Sequence, residues 1–124
     1  MTTKILIADD EPNILISLEF LMKREGYEVH VARDGQEALD VLRSEHPRLV
    51  LLDVMMPKKT GFEVCQEVRN DEGIRSTLIL MLTAKGRETD VVKGLALGAD
   101  AYMTKPFSTR ELVQKVRSML EAAP

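Results

Sequence analysis

The chain predicts an α/β domain in which a parallel sheet is covered by helices on both faces. Apolar runs of strand length alternate five times with stretches of helical periodicity, the rhythm of parallel α/β folds. Leu49-Val50-Leu51-Leu52 sets four apolar residues in a row, the pattern of a strand buried on both sides. Four strands also stop on a polar or charged residue. Parallel strands lay their carboxyl ends along one rim, and open α/β sheets bind ligands there.

The first strand is Ile5-Leu6-Ile7-Ala8, halted by Asp9-Asp10-Glu11. Pro12 and the acids before it suit the first turn of a helix. Ile14, Leu15, Leu18, Leu21 and Met22 then recur at helical spacing, and Gly26 ends the segment. Tyr27 to Ala32 alternates as an edge strand does. Asp34-Gly35-Gln36-Glu37 has capping-box spacing and opens a helix carrying Ala38, Leu39, Val41 and Leu42, which stops before Pro47.

The strand to Asp53 follows, then a loop from Val54 to Gly61. Thr60-Gly61-Phe62-Glu63 is a second capping-box pattern, heading a helix through Val64, Cys65 and Val68 that Asn70-Asp71-Glu72-Gly73 breaks. Leu78-Ile79-Leu80-Met81-Leu82 is another buried strand, ending on Thr83-Ala84. Asp90 to Leu97 reads as a helix with Val91, Val92 and Leu95 inward, closed by Gly98. Ala101 to Thr104 is a short last strand ending on Lys105-Pro106. Ser108-Thr109-Arg110-Glu111 is a third capping box, starting a helix with Leu112, Val113, Val116, Met119 and Leu120 on one stripe; Ala122-Ala123-Pro124 is a frayed end.

A length of 124 residues suits one domain, spanning 1–124, with a real core. Hydrophobic residues make up 44% and charged residues 30%, an ordinary globular mixture. The net charge of -3 argues against a dedicated nucleic-acid binder, which carries a basic excess. Cys65 is the only cysteine, so no intramolecular disulfide forms, and it reads as a small core-facing residue. No apolar run is long enough to span a bilayer, and the amino-terminal run is too short for a signal peptide. The expected location is the cytoplasm. His30 and His46 read as surface residues, and Lys58, Lys59, Arg110, Lys115 and Arg117 as solvated faces.

The strand ends carry the chemistry. They supply Asp9 and Asp10, then Asp53, Thr83 and Lys105. Two like charges 4 Å apart cost about 4 kcal/mol at an effective dielectric of about 20, so such a cluster needs a cation. Oxygen ligands with room for water favour Mg²⁺, and Lys105 adds a fixed positive charge. Two cations around one carboxylate suit phosphoryl transfer, where the protein positions groups and neutralises charge. Thr83 can hydrogen-bond a phosphoryl oxygen, and Asp53 can itself be the nucleophile. Taken singly, each residue has a plainer explanation: the acids after the first strand favour a helix amino terminus, Thr83 satisfies backbone, and Lys105 is solvated. Their joint placement outweighs these.

The chain resembles the receiver domain of bacterial two-component response regulators, in particular the chemotaxis receivers. The match runs through Ala8-Asp9-Asp10-Glu11, Leu51 to Pro57, Thr60-Gly61, Leu82-Thr83-Ala84, Gly98 to Tyr102 and Thr104-Lys105-Pro106-Phe107, nearly the whole chain. The resemblance implies a flavodoxin-like sandwich of five parallel strands, order 2-1-3-4-5, with five helices. It implies that Asp53 accepts a phosphoryl group from a sensor histidine kinase or a phosphotransfer protein. Mg²⁺ would be held by Asp10 and Asp53, by Asp9 directly or through water, and by the Met55 backbone carbonyl. Lys105 would pair with Asp53 at rest and with the phosphoryl group afterwards. Thr83 and Tyr102 would form the switch, and the Lys105-Pro106 bond would be cis.

The 90–121 face would then control a downstream protein or effector domain, with no direct nucleic-acid contact and no membrane contact. By the same resemblance, Met55 and Lys85 sit where dephosphorylation is tuned. Lys59 and Thr60 depart from the usual apolar and Asp or Ser residues. Val91 and Ala101 stand where receivers attached to winged-helix domains carry a basic and an acidic residue of a dimer network, leaving Glu111, Asp100 and Lys115 for it. Two other functions share parts of the pattern. A Mg²⁺-dependent phosphatase with an aspartyl nucleophile needs an acid/base carboxylate after Asp53 and a substrate cap. A module that never takes phosphate would not need Asp10, Asp53, Thr83 and Lys105 together.

Overall fold

The computed structural model describes residues 2–84 and 86–122. Within them the chain runs β1 (Lys4–Ala8), α1 (Pro12–Arg24), β2 (Glu28–Ala32), α2 (Gly35–Glu45), β3 (Leu49–Asp53), α3 (Gly61–Asn70), β4 (Leu78–Ala84), α4 (Glu88–Ala96), β5 (Ala101–Lys105) and α5 (Thr109–Ala122). All strand pairs are parallel, in the order β2-β1-β3-β4-β5. The alternation of strand and helix thus becomes the expected sheet with helices on both faces.

Side chains alternate across the sheet and divide the core in two. Leu6, Val50, Leu52, Ile79 and Met81 point into a layer with Ala38, Leu39, Leu42, Val64, Cys65 and Val68 from α2 and α3. Ile5, Ile7, Leu49, Leu51, Leu80 and Leu82 point the other way, onto Leu15, Leu18, Leu21 and Met22 of α1 and Leu112 and Val116 of α5. Every residue of β3 is buried, as its unbroken apolar run requires.

The caps follow the expected residues with one refinement. Only Thr60 and Glu63 bond each other's backbone reciprocally; Asp34 accepts from the Glu37 N–H, and Ser108 accepts from the Glu111 N–H, without the return bond. Gly61 begins α3 against the end of β3. A Cβ there would lie 2.4 Å from the Asp53 carbonyl oxygen, so only glycine allows this approach.

The reading of α4 needs correction. The helix starts at Glu88 rather than Asp90, and its buried residues are Asp90 and Gly94. Val92 is 68% exposed and Leu95 44% exposed, so neither faces inward; Val91 is only partly covered. The physical reason is Gly94. With no side chain it brings the helix down onto Met81 and Phe62, where a Cβ would be 3.3 Å from the Met81 methyl. That contact turns the apolar residues outward.

Three smaller expectations also change. Asp100 does not stand free for a surface network: its carboxylate accepts from Arg69 and from the Ile79 N–H, both at 2.8 Å. Lys59 is not simply solvated but reaches Glu67 at 2.6 Å. His30 is half-buried between Glu28 and Glu45, whereas His46 is exposed. Lys85, Ala123 and Pro124 lie outside the described residues.

Candidate functional site

Strand register assembles the site. Ala8 lies opposite Leu52, so Asp9 leaves β1 level with Asp53 at the end of β3. Lys105 lies opposite Ala84 at the end of β5. The cis Lys105–Pro106 peptide follows it directly. The Lys105 ammonium donates to Asp9 Oδ2 at 2.8 Å and to Asp53 Oδ1 at 3.2 Å. The other Asp9 oxygen accepts the Glu11 N–H at 3.0 Å. Asp9 is therefore fully engaged as well as fully buried, while Asp10 is exposed.

The electrostatics follow from burial and crowding. Asp53 is only 7% exposed. Burial and the neighbouring Asp9 charge push its carboxyl up to about 6, against the pull of Lys105. Lys105 is raised: burial works to lower it, but its hydrogen bond to Asp9 and the charges of Asp53 and Asp9 outweigh that.

One oxygen from each of Asp9, Asp10 and Asp53 lies within 4.8 Å of the others. Three carboxylates against one ammonium leave the ionised cluster short of positive charge, and every donor is oxygen. The donor chemistry fits a hard divalent cation such as Mg²⁺. Lys105 and Asp53 share with Asp10, Glu11, Met55 and Ala84 the walls of an open cleft of about 280 Å³. The cleft has room for a small charged group beside the carboxylates.

Thr83, one residue past the Leu82 that pairs with Asp53, and Tyr102 do not line this cleft. Thr83 is 1% exposed, and its hydroxyl donates to the Met103 carbonyl at a long 3.4 Å. Tyr102 is 46% exposed and lines a separate groove with Leu95, Pro106 and Lys115. Arg87 and Asp90 also line the cleft of Asp53, with the Arg87 Nε 3.1 Å from the Asp90 Oδ2. Neither was expected there. The available signal was position: Arg87 follows the carboxyl end of β4 by three residues, on the same rim as the other groups.

Five parallel strands in this order, with carboxylates and a lysine gathered on their carboxyl-end rim, define a receiver-type domain. The chain belongs to the response regulator receiver domain family, whose sequence profile matches residues 5–117. It is similar to a protein of Chloroflexus aurantiacus J-10-fl assigned as a response regulator, at 35% identity and TM-score 0.93, with 98% of this chain and 99% of that one covered. It is likewise similar to the chemotaxis response regulator CheY4 of Vibrio cholerae, at 33% identity and TM-score 0.89, covering 95% and 98%. A third similar structure is the receiver domain of the sensor histidine kinase PA1611 of Pseudomonas aeruginosa PAO1, at 26% identity and TM-score 0.90, covering 98% and 100%. That domain has a magnesium ion coordinated in its active-site cleft.

Among the described residues no helix is long and apolar enough to cross a membrane. By its family and its similar structures, the chain is a receiver domain of two-component signalling.

Proposed function

We propose that residues 1–124 form a single phosphoacceptor unit acting in the cytoplasm, in which Asp53 takes a phosphoryl group from a phosphohistidine on a kinase or phosphotransfer protein. The observation that carries this reading is the Lys105 ammonium shared between Asp9 and Asp53, with Asp10 beside them.

In this reading an Asp53 carboxylate oxygen forms a bond to phosphorus as the phosphorus–nitrogen bond breaks, and the electron pair stays on the donor imidazole. Asp10, Asp53 and the Met55 carbonyl would hold Mg²⁺, with Asp9 reaching it directly or through water. When bound there, the ion would supply charge neutralisation at the phosphoryl oxygens. Lys105 holds the Asp53 carboxylate in place before transfer and pairs with the phosphoryl group after it. Attack of water at phosphorus later breaks the acyl phosphate bond, returning the carboxylate and inorganic phosphate.

The switch is supported by Thr83 and Tyr102. The 3.4 Å contact of Thr83 with the Met103 carbonyl is weak enough for the hydroxyl to leave for a phosphoryl oxygen. Tyr102 then turns inward, and the 90–121 face changes shape. Val92, Leu95 and Tyr102 already give that face exposed apolar area for a downstream protein or effector domain. Neither a nucleic acid nor a membrane is among the partners of this reading.

The test is incubation with acetyl phosphate and Mg²⁺, followed by intact mass. The wild type is expected to gain one phosphoryl group and Asp53→Asn none. An unlabelled wild type, or equal labelling of the variant, overturns the reading.

A further inference from the structure

The cleft of Asp53 and Lys105 is lined by a second cation, Arg87. Arg87 sits at the amino-terminal boundary of α4, and its side chain is about half exposed. Its guanidinium meets both Asp90 oxygens, Nε to Oδ2 at 3.1 Å and Nη2 to Oδ1 at 3.4 Å. Asp90 is itself buried, and both residues line the cleft that contains Asp53 and Lys105.

Charge supply explains why this pair matters. Lys105 is already divided between two carboxylates, and phosphorylation turns the singly charged Asp53 carboxylate into an acyl phosphate of about −1.5 to −2 charge, spread over oxygens that reach further into the cleft. A guanidinium presents a planar fork of donors that matches phosphoryl oxygens. An i,i+3 pair with one partner half exposed is of the weak kind and easily broken. Asp90 lies in the first turn of α4, where the helix favours an anion after its partner leaves.

We propose that Arg87 is a releasable second cation for the phosphoryl group, stored on Asp90 at rest and drawn across the cleft when the charge on Asp53 grows. The exchange ties the phosphoryl group to the first turn of α4, because the arm that moves belongs to the residue that immediately precedes the helix. Asp90 is the competitor that sets how readily Arg87 leaves. This rests on Asp53 being the phosphoryl acceptor.

Beryllofluoride with Mg²⁺, a noncovalent stand-in for the phosphoryl group, is the probe, and its half-saturating concentration is read by NMR on the full chain. Arg87→Gln is expected to weaken binding about fivefold at low ionic strength, with less loss at high salt. Asp90→Asn is expected to tighten it, because Arg87 is no longer held. In the Arg87→Gln background, Asp90→Asn is expected to change nothing. Unaltered affinity in Arg87→Gln overturns the proposal. So does an Asp90→Asn effect that persists without Arg87, since that marks a merely structural role. If Asp90→Asn does not fold, Arg87→Gln and its salt dependence decide alone. Failure of the wild type to bind beryllofluoride would instead count against the acceptor role of Asp53.

Discussion

Asp53 is held among charges of its own sign, and that arrangement has a cost to the resting fold. Its folded pKa of about 6 lies above the 3.8 of an ordinary aspartate. The folded state therefore binds more protons than the unfolded state between those values, and stability falls as pH rises through that window. The carboxylate destabilises the fold above pH 6 and ceases to do so below 3.8. Without divalent ions, Asp53→Asn is expected to stabilise the domain at pH 7 by about 3 kcal/mol, at about 1.4 kcal/mol per pKa unit. The gain should vanish by about pH 3.5, and urea melts across pH check both parts. Equal stability of the two proteins at pH 7 contradicts this electrostatic picture.

This crowding was legible in the sequence, because Asp53 and Lys105 end strands and Asp9 and Asp10 directly follow one. That Lys105 also holds Asp9, at a shorter distance than Asp53, was not. It depends on the level of three strands relative to one another, which no local pattern records.

Elements show the same division between local and long-range information. The strands and most helix starts follow from apolar runs, Pro12 and the capping residues. α4 misleads because its apolar residues carry helical periodicity yet face outward, the packing being decided by Gly94 against Met81. Arg69 is a second case. Near the end of α3 it donates to the carbonyls of Arg75, Thr77 and Gly98 and to the Asp100 carboxylate, at 2.7 to 2.9 Å. One side chain thereby joins the segments that lead into β4 and β5, the strands of Thr83 and Lys105. Arg69→Ala is expected to cost about 2–3 kcal/mol, since it strands two part-buried carbonyls, those of Thr77 and Gly98, at once. Arg69→Lys should recover little, because an ammonium cannot reproduce the fork. Denaturant unfolding of the two variants measures this; a loss under about 0.5 kcal/mol, the range of an ordinary surface substitution, would contradict it.

At the scale of the molecule, the parallel α/β class was readable from the alternation of elements alone. The strand order 2-1-3-4-5 came from the family resemblance, because periodicity does not say which strands are neighbours. The separation of the two ends of the machinery, with carboxylates on the rim and Tyr102 in an outer groove, is likewise a property of the assembled sheet. If the rim holds Mg²⁺ in the folded state only, the ion stabilises the whole domain by mass action. The melting temperature should rise with Mg²⁺ concentration, and much less in Asp10→Asn, where the exposed ligand is weakened. An identical rise in both proteins would place the ion elsewhere.

The most direct measurement is to locate the phosphoryl group itself. The full chain is treated with acetyl phosphate and Mg²⁺, digested rapidly, and its peptides are mapped by mass. The account predicts a single modified peptide containing Asp53, with the label abolished by a chelator and released by hydroxylamine, as acyl phosphates are. Label on a histidine, serine or threonine, or label at Asp53 that does not depend on a divalent ion, would contradict it.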